Sequence, residues 1–236
     1  MIRVAFCVGE YPGPEREKRI AVAKSYASEE VEIGILDIPA SPYSGLGHAG
    51  IQQVHPILHK VFIQAEKEGY DAVVPLGMLE LGIEGGRCLV NIPVLGPLHS
   101  ALHVAGLLGD RFGLICYEAS AFPRYRAVIK SYGMYDFIAG FRTVSMPINV
   151  MTENRDQMVE AFLAGARSLI DNDGAEVIIP AGISQCPVHM NPTWLSSELG
   201  VPVVEGIGAP IRVAAMLASL GYKHSRVRWP YTPMPD

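Results

Sequence analysis

The sequence predicts an α/β protein of two similar lobes, each a parallel β-sheet flanked by helices, with a ligand cleft between them. Three observations carry that prediction. Short, continuously apolar runs alternate with amphipathic segments, an internal repeat divides the chain, and each copy holds a glycine turn at a strand's end.

The strand candidates are Ile2 to Val8, Val31 to Ile38, Asp71 to Pro75, Phe112 to Cys116, Glu176 to Ile179 and Val201 to Val204. Several are apolar throughout rather than alternating, the pattern of parallel strands covered on both faces. Two helical stripes stand out between them. Gln52 to Glu68 aligns Val54, Ile57, Leu58, Val61 and Phe62, and Asp156 to Ile170 aligns Met158, Val159, Phe162, Ala166 and Leu169.

The repeat is the most informative feature. GYDAVVPLG, from Gly69, recurs as GAEVIIPAG, from Gly174, at an offset of 105 residues. IPVLGP and VPVVEG then match from Ile92 and Val201, and HVAGLLG resembles RVAAMLASLG. Three ordered pairs favour a duplicated unit of strand, glycine loop, helix, strand and helix. The implied lobes are residues 1–98 plus 207–236, and 99–206.

Composition narrows the class of protein. The chain has 236 residues, 49% of them hydrophobic, enough for a sizeable core, and a formal charge of -5. It lacks a Lys/Arg run, so a nucleic-acid groove is not expected. No apolar stretch is long enough for a membrane span. The opening MIRVAFCVG reads as a first strand rather than a signal peptide. Four cysteines are spread singly, which suits a cytoplasmic protein without disulfides.

Chemistry is expected at the two glycine turns, because ligands of open parallel sheets bind at strand carboxyl ends. One turn is Pro75-Leu76-Gly77-Met78-Leu79-Glu80 and the other Pro180-Ala181-Gly182-Ile183-Ser184-Gln185. Backbone N–H groups there can face an anion. Gly77, Met78, Gly182, Ile183, Ser184 and Gln185 are therefore the expected substrate-binding positions. Glu80, flanked by Met78, Leu79 and Leu81, is a candidate acid or base, or else a helix cap. Cys186 and His189, spaced Cys-x-x-His within an insertion, are candidates for an activated thiol or proton donor. They fall short of a metal site by a third ligand, and neither metal nor cofactor is expected.

Other residues compete for lesser roles. His99 and His103 share a helix face, as do His55 and His59; Arg124 and Arg126 could attract an acid or lie on a solvated helix face. The glycine-rich stretch 41–50, with Tyr43 and His48, has the make-up of a covering loop. The tail WPYTPMPD would be anchored by Trp229 and Tyr231.

The run DAVVPLGMLELGIEGGRCLVNIPVLGP with ALHVAGLLGDRFGLI, and GAEVIIPAG with LGVPVVEGIGAPIRVAAML, resemble the aspartate/glutamate/hydantoin racemase superfamily. The nearest likeness is to its hydantoin and allantoin racemases and to arylmalonate decarboxylase. Members usually carry one cysteine per lobe, on opposite sides of the substrate's acidic carbon. Here Gly77 and Gly182 stand at those places. The decarboxylases keep only the second cysteine, and this chain lacks that one too.

The resemblance implies further site residues. Tyr117, at the end of FGLICY, matches a tyrosine that helps hold a substrate carboxylate, and Ser120 can assist it. Glu10 and Tyr11, in GEYPGP, stand where the racemases have an Asn-Pro-Asn segment and so suggest an altered ligand.

The combined reading is an enzyme acting on a small carboxylate or cyclic amide, foremost a cofactor-independent decarboxylase or other lyase. The alternatives are a hydrolase of a small amide or ring, a racemase or isomerase using Cys186, and a metabolite-binding relative without turnover. A homo-oligomer is implied by the resemblance alone.

Overall fold

The computed structural model describes residues 1–39 and 48–232. Residues 41–47 of the expected covering loop, with Tyr43, and the His48 side chain lie outside the described residues, whereas the backbone of 48–50 is helical; the tail beyond Thr232 also lies outside them. The chain divides into two compact units. The first comprises Met1–Leu76, Glu80–Pro97 and Pro210–Asp236, and the second Gly77–Leu79 with Leu98–Ala209. The short Gly77–Leu79 turn thus groups with the second unit, although it follows a strand of the first.

In the first unit, β1 (Ile2–Gly9) pairs in parallel with both β2 (Val31–Ile38) and β3 (Ala72–Pro75), giving the order β2-β1-β3. Helix α1 (Gly13–Ser25) links β1 to β2, and α2 (His48–Lys67) links β2 to β3. The apolar stripe read from the sequence is the buried face of α2. Val54, Leu58, Val61 and Phe62 pack with Ala5, Cys7 and Leu36 of the sheet. Each such side chain contributes about 1.5–3 kcal/mol through burial. Helix α3 (Ile83–Leu89) lies against α2, with Gly86 so close to Phe62 that a Cβ there would meet its ring at 2.5 Å.

The second unit repeats the plan. Strand β4 (Phe112–Cys116) is flanked by β5 (Ile138–Thr143) and β6 (Val177–Pro180), all parallel, in the order β5-β4-β6. Helix α4 (Pro97–Ala105) precedes β4, α5 (Phe122–Ser131) follows it, and α6 (Arg155–Asp173) joins β5 to β6. On α6, Met158, Phe162, Ala166 and Leu169 are fully buried, the stripe expected from their spacing. Helices α7 (Pro192–Leu199) and α8 (Gly208–Ser219) complete the order.

Two strand expectations need correction. Val201 to Val204 forms no strand; one bridge joins Val203 to Ile178, through Ile178 N–H to Pro202 O and Val204 N–H to Ile178 O. Pro202 has no N–H with which to extend that pairing. Its repeat partner behaves alike, with one bridge from Val94 to Val73. The sheet's third strand is instead β5, IAGFRT, which is partly buried throughout and carries Gly140 and Arg142. Its mixed composition hides it from a search for apolar runs.

The segment after α8 runs along the first unit. Arg226 donates to the carbonyls of Arg87, Val90 and Trp229 and to Asn91 Oδ1. Trp229 Nε1 donates to Glu84 at 2.9 Å, and the Arg226 guanidinium lies over Tyr231. His224 Nε2 accepts the Val94 N–H at 2.8 Å. All four cysteines are free. Among the described residues no helix is long and apolar enough to cross a membrane.

Candidate active site

The strand-end turns of the second unit hold most of the sequence-predicted residues. Strand β4 ends at Cys116, so Tyr117 leaves the sheet's carboxyl edge, and β6 ends at Pro180, two residues before Gly182. The two meet. A Cβ on Gly182 would lie 2.3 Å from Tyr117 Cζ and 2.6 Å from its hydroxyl oxygen. The Ser184 N–H donates to that oxygen at 3.0 Å. A phenol therefore fills the space into which a side chain at position 182 would project.

Gly77 is glycine for a different reason. Its φ is +101°, a region L side chains rarely adopt, while among the described residues nothing lies within 4 Å of where its Cβ would be. The turn it opens is fixed at both ends of its short length. Met78 is buried against Gly206, and Leu79 O accepts from the Arg124 guanidinium at 3.2 Å.

The neighbour of that arginine holds the other turn. Tyr125 donates from its hydroxyl to Ala181 O, directly before Gly182. Consecutive residues of α5 thus fasten both glycine turns, one bond to each. The amides of Gly77, Met78 and Leu79, and those of Gly182 and Ile183, meet no acceptor among the described residues. Backbone donors of this kind, fixed in advance, suit an oxyanion.

Beyond Ile183 the chain forms a wide helical turn, Ser184–His189, broken at Cys186. Ser184 and Gln185 are buried; Gln185 Nε2 donates to Cys116 O at 3.2 Å, and its Oε1 has no partner among the described residues. His189 Nδ1 donates to Ser184 O and its Nε2 lies 3.4 Å from the Thr152 hydroxyl, so the imidazole braces this turn. Cys186 is wholly buried, packed with Ile115, Met151, Phe162 and Met190. Burial pushes its thiol well above the usual range, and the nearby Glu205 carboxylate pushes it further. The pairing of Cys186 and His189 expected for an activated thiol thus meets a buried sulfur beside a carboxylate, where the thiolate is disfavoured. Ser120 is exposed, in the short helical turn Ala119–Ala121.

The first unit holds the remaining candidates. Glu10 follows β1 and is exposed. The Tyr11 ring is covered by the buried Arg19 guanidinium at 4.0 Å, and Arg19 pairs with Glu15 at 2.8 Å. Glu80 has a φ of +56°, and its carboxylate lies over Gly96, where a Cβ would come within 1.6 Å of Oε2. It thereby lies beside Gly96, the residue before α4.

Sequence reasoning missed Glu205, the repeat counterpart of Gly96. Its carboxylate is 5% exposed and accepts the N–H groups of Ile207 and Gly208, both at 2.6 Å, at the start of α8. Each unit thus places a carboxylate at this junction, from the Glu80 turn in one and from the residue after Val204 in the other. An acid ahead of a glycine-started helix was the available signal. Among the described residues, no group of three or more His, Cys, Asp or Glu could hold a metal ion.

The model of the Asp/Glu/Hydantoin racemase family matches residues 17–214. The chain belongs to this family. It is 26% identical to a hydantoin racemase of Pseudomonas sp. (strain NS671), over 87% of this chain and 82% of that protein. Among solved structures, an allantoin racemase from Klebsiella pneumoniae superposes with a TM-score of 0.90 at 19% identity, covering 100% of this chain and 95% of the other. A mutant of arylmalonate decarboxylase gives a TM-score of 0.70 at 14% identity, covering 95% and 96%. These likenesses agree with two α/β lobes of one plan. Within the family frame, the departure of this member is glycine at both 77 and 182, with a tyrosine ring over the second.

Proposed function

We propose that this racemase-family member is an isomerase that moves a proton at the acidic carbon of a small carboxylate or cyclic amide, with the Tyr117 hydroxyl as proton carrier. One observation supports this most: the phenol stands where a side chain at Gly182 would project, the place at which the family's second cysteine is expected. The relatives described as hydantoin and allantoin racemases favour proton exchange over bond cleavage.

The chemistry balances with the groups at hand. The deprotonated phenol takes a proton from the carbon next to a carbonyl, and the electron pair passes to the carbonyl oxygen. The resulting enolate oxygen lies on backbone amides such as those of Gly182 and Ile183. The phenol then returns the proton to the planar carbon; inversion results when the enolate has turned its other face to the phenol before that return, and retention when it has not. Positioned acid–base groups contribute about 10²–10⁴-fold to such steps.

Decarboxylation is the second reading, and the absence of a side chain on Gly77 itself, the first of the two cysteine positions, favours it. A single donor suffices when carbon dioxide leaves with its bond broken toward carbon, because only one proton must be delivered. Deuterium uptake from heavy water, followed by proton NMR over 5-substituted hydantoins, hydroxy acids and substituted malonates, separates the two. Uptake without carbon dioxide supports the isomerase, and gas release with uptake supports the lyase. Tyr117→Phe removes the hydroxyl and keeps the ring, so either activity should drop about 10²–10⁴-fold. Tight ligand binding without exchange or cleavage, or full activity in Tyr117→Phe, would overturn the proposal.

A further inference from the structure

Arg124 is set apart from the other arginines that are half-buried or deeper. Arg19 faces Glu15, Arg87 faces Glu84, Arg142 faces Asp173, and Arg226 is held by four oxygen acceptors. Among the described residues Arg124 has no carboxylate opposite, and one carbonyl, Leu79 O, is its hydrogen-bond acceptor. Its Nε is closed off from water with nothing to donate to. A partly buried guanidinium whose Nε lacks both water and an acceptor gains from a negative charge placed against it. Desolvation lowers its pKa, the response of a cation without a counter-charge.

Its location gives the deficit a meaning. Arg124 is fastened to the Gly77–Leu79 turn, and Tyr125 beside it to Ala181. The guanidinium therefore lies beside the first turn, and the next residue of the same helix holds the second.

We infer that Arg124 is the anion anchor of the site, pairing with a carboxylate carried by the substrate, so that the ligand is an acid rather than a neutral cyclic amide. This deepens the proposed function and rests on it for the site's location. Within that reading it selects ring-opened or carboxylated substrates. A planar guanidinium matches a carboxylate in two parallel hydrogen bonds, which a lysine cannot reproduce.

A matched pair of probes tests this: hydantoin, which is neutral, and N-carbamoylglycine, its ring-opened acid, with malonate as a second acid. Calorimetric titration and thermal melting of the full chain, at low and high salt, should show the acids binding and stabilising more than hydantoin does. Arg124→Gln should weaken the acids about 10- to 100-fold and weaken hydantoin far less. Arg124→Lys should recover part of the loss, and circular dichroism checks that both variants are folded. Tyr117→Phe should keep acid binding while losing proton exchange. The inference fails if hydantoin binds as well as the acids, if neither acid binds beyond the effect of added sodium chloride, or if folded Arg124→Gln binds them normally. Those failures leave the role of Tyr117 standing. Loss of the Tyr117 role, by contrast, would show as unchanged exchange in Tyr117→Phe with anion binding intact.

Discussion

The ring of Tyr117 lies across the face of Gly182, 2.3 Å from the position of a would-be Cβ, so the two residues are alternatives for one volume. Gly182→Ala should therefore overpack the turn and cost about 1–3 kcal/mol. In a Tyr117→Ala background the same substitution should cost much less, because the obstructing ring is gone. Urea denaturation of the four proteins measures the coupling. Equal costs in both backgrounds would mean that the ring is not the obstacle.

Gly77 makes the opposite case. Among the described residues its surroundings are open and its φ of +101° is the constraint, so Gly77→Ala should cost about 1–3 kcal/mol through backbone strain. Gly13 is the control, since it too has nothing within 4 Å but no left-handed φ. Gly13→Ala should be neutral or mildly stabilising. Similar melting temperatures for the two variants would contradict the strain argument.

His224 should make stability depend on pH in a defined window. Burial holds its pKa down, with Arg87 and Arg226 adding to the effect, at about 4 against a usual 6.5. Only the neutral ring can accept the Val94 N–H at Nε2. Between those values the unfolded chain binds the proton and the folded chain does not, so stability rises with pH across this range. The contribution is complete above about 6.5 and lost as the pH falls toward 4. Melting temperatures of the protein and of His224→Gln, read from pH 4 to 7, should diverge in slope, the variant being flatter. Parallel curves would remove His224 from the account.

Cys186 should resist alkylation in the folded protein. Its side chain is fully buried and its thiol is held protonated, whereas Cys88 is partly exposed. Iodoacetamide followed by mass spectrometry should label Cys88 first and reach Cys186 only with denaturant. Rapid labelling of Cys186 that also stops turnover would restore a thiol mechanism.

Much of the fold was legible because its signals are local. The apolar run of β1 and the stripe on α6 follow from strand and helix periods, and the repeat disclosed the second copy of the sheet. What escaped was whatever lacked such a period. Strand β5 is half-buried and mixed, and VPVV lost its strand to Pro202. At the site, sequence placed the glycine turns and Tyr117 at strand ends. The burial of Cys186 behind its turn, the carboxylate of Glu205 and the bonds from Arg124 and Tyr125 were not visible.

By itself, then, the sequence determined the two-lobed α/β plan, the strand-end turns and the missing pair of thiols. Each is written in spacing or in residue identity. Tertiary structure alone decided what fills the space at Gly182, because Tyr117 and the Ser184 amide that donates to it are 67 positions apart and meet only when β4 and β6 pair with correct register. Periodicity tells a side chain which face to take; which distant neighbour it finds there is settled by packing.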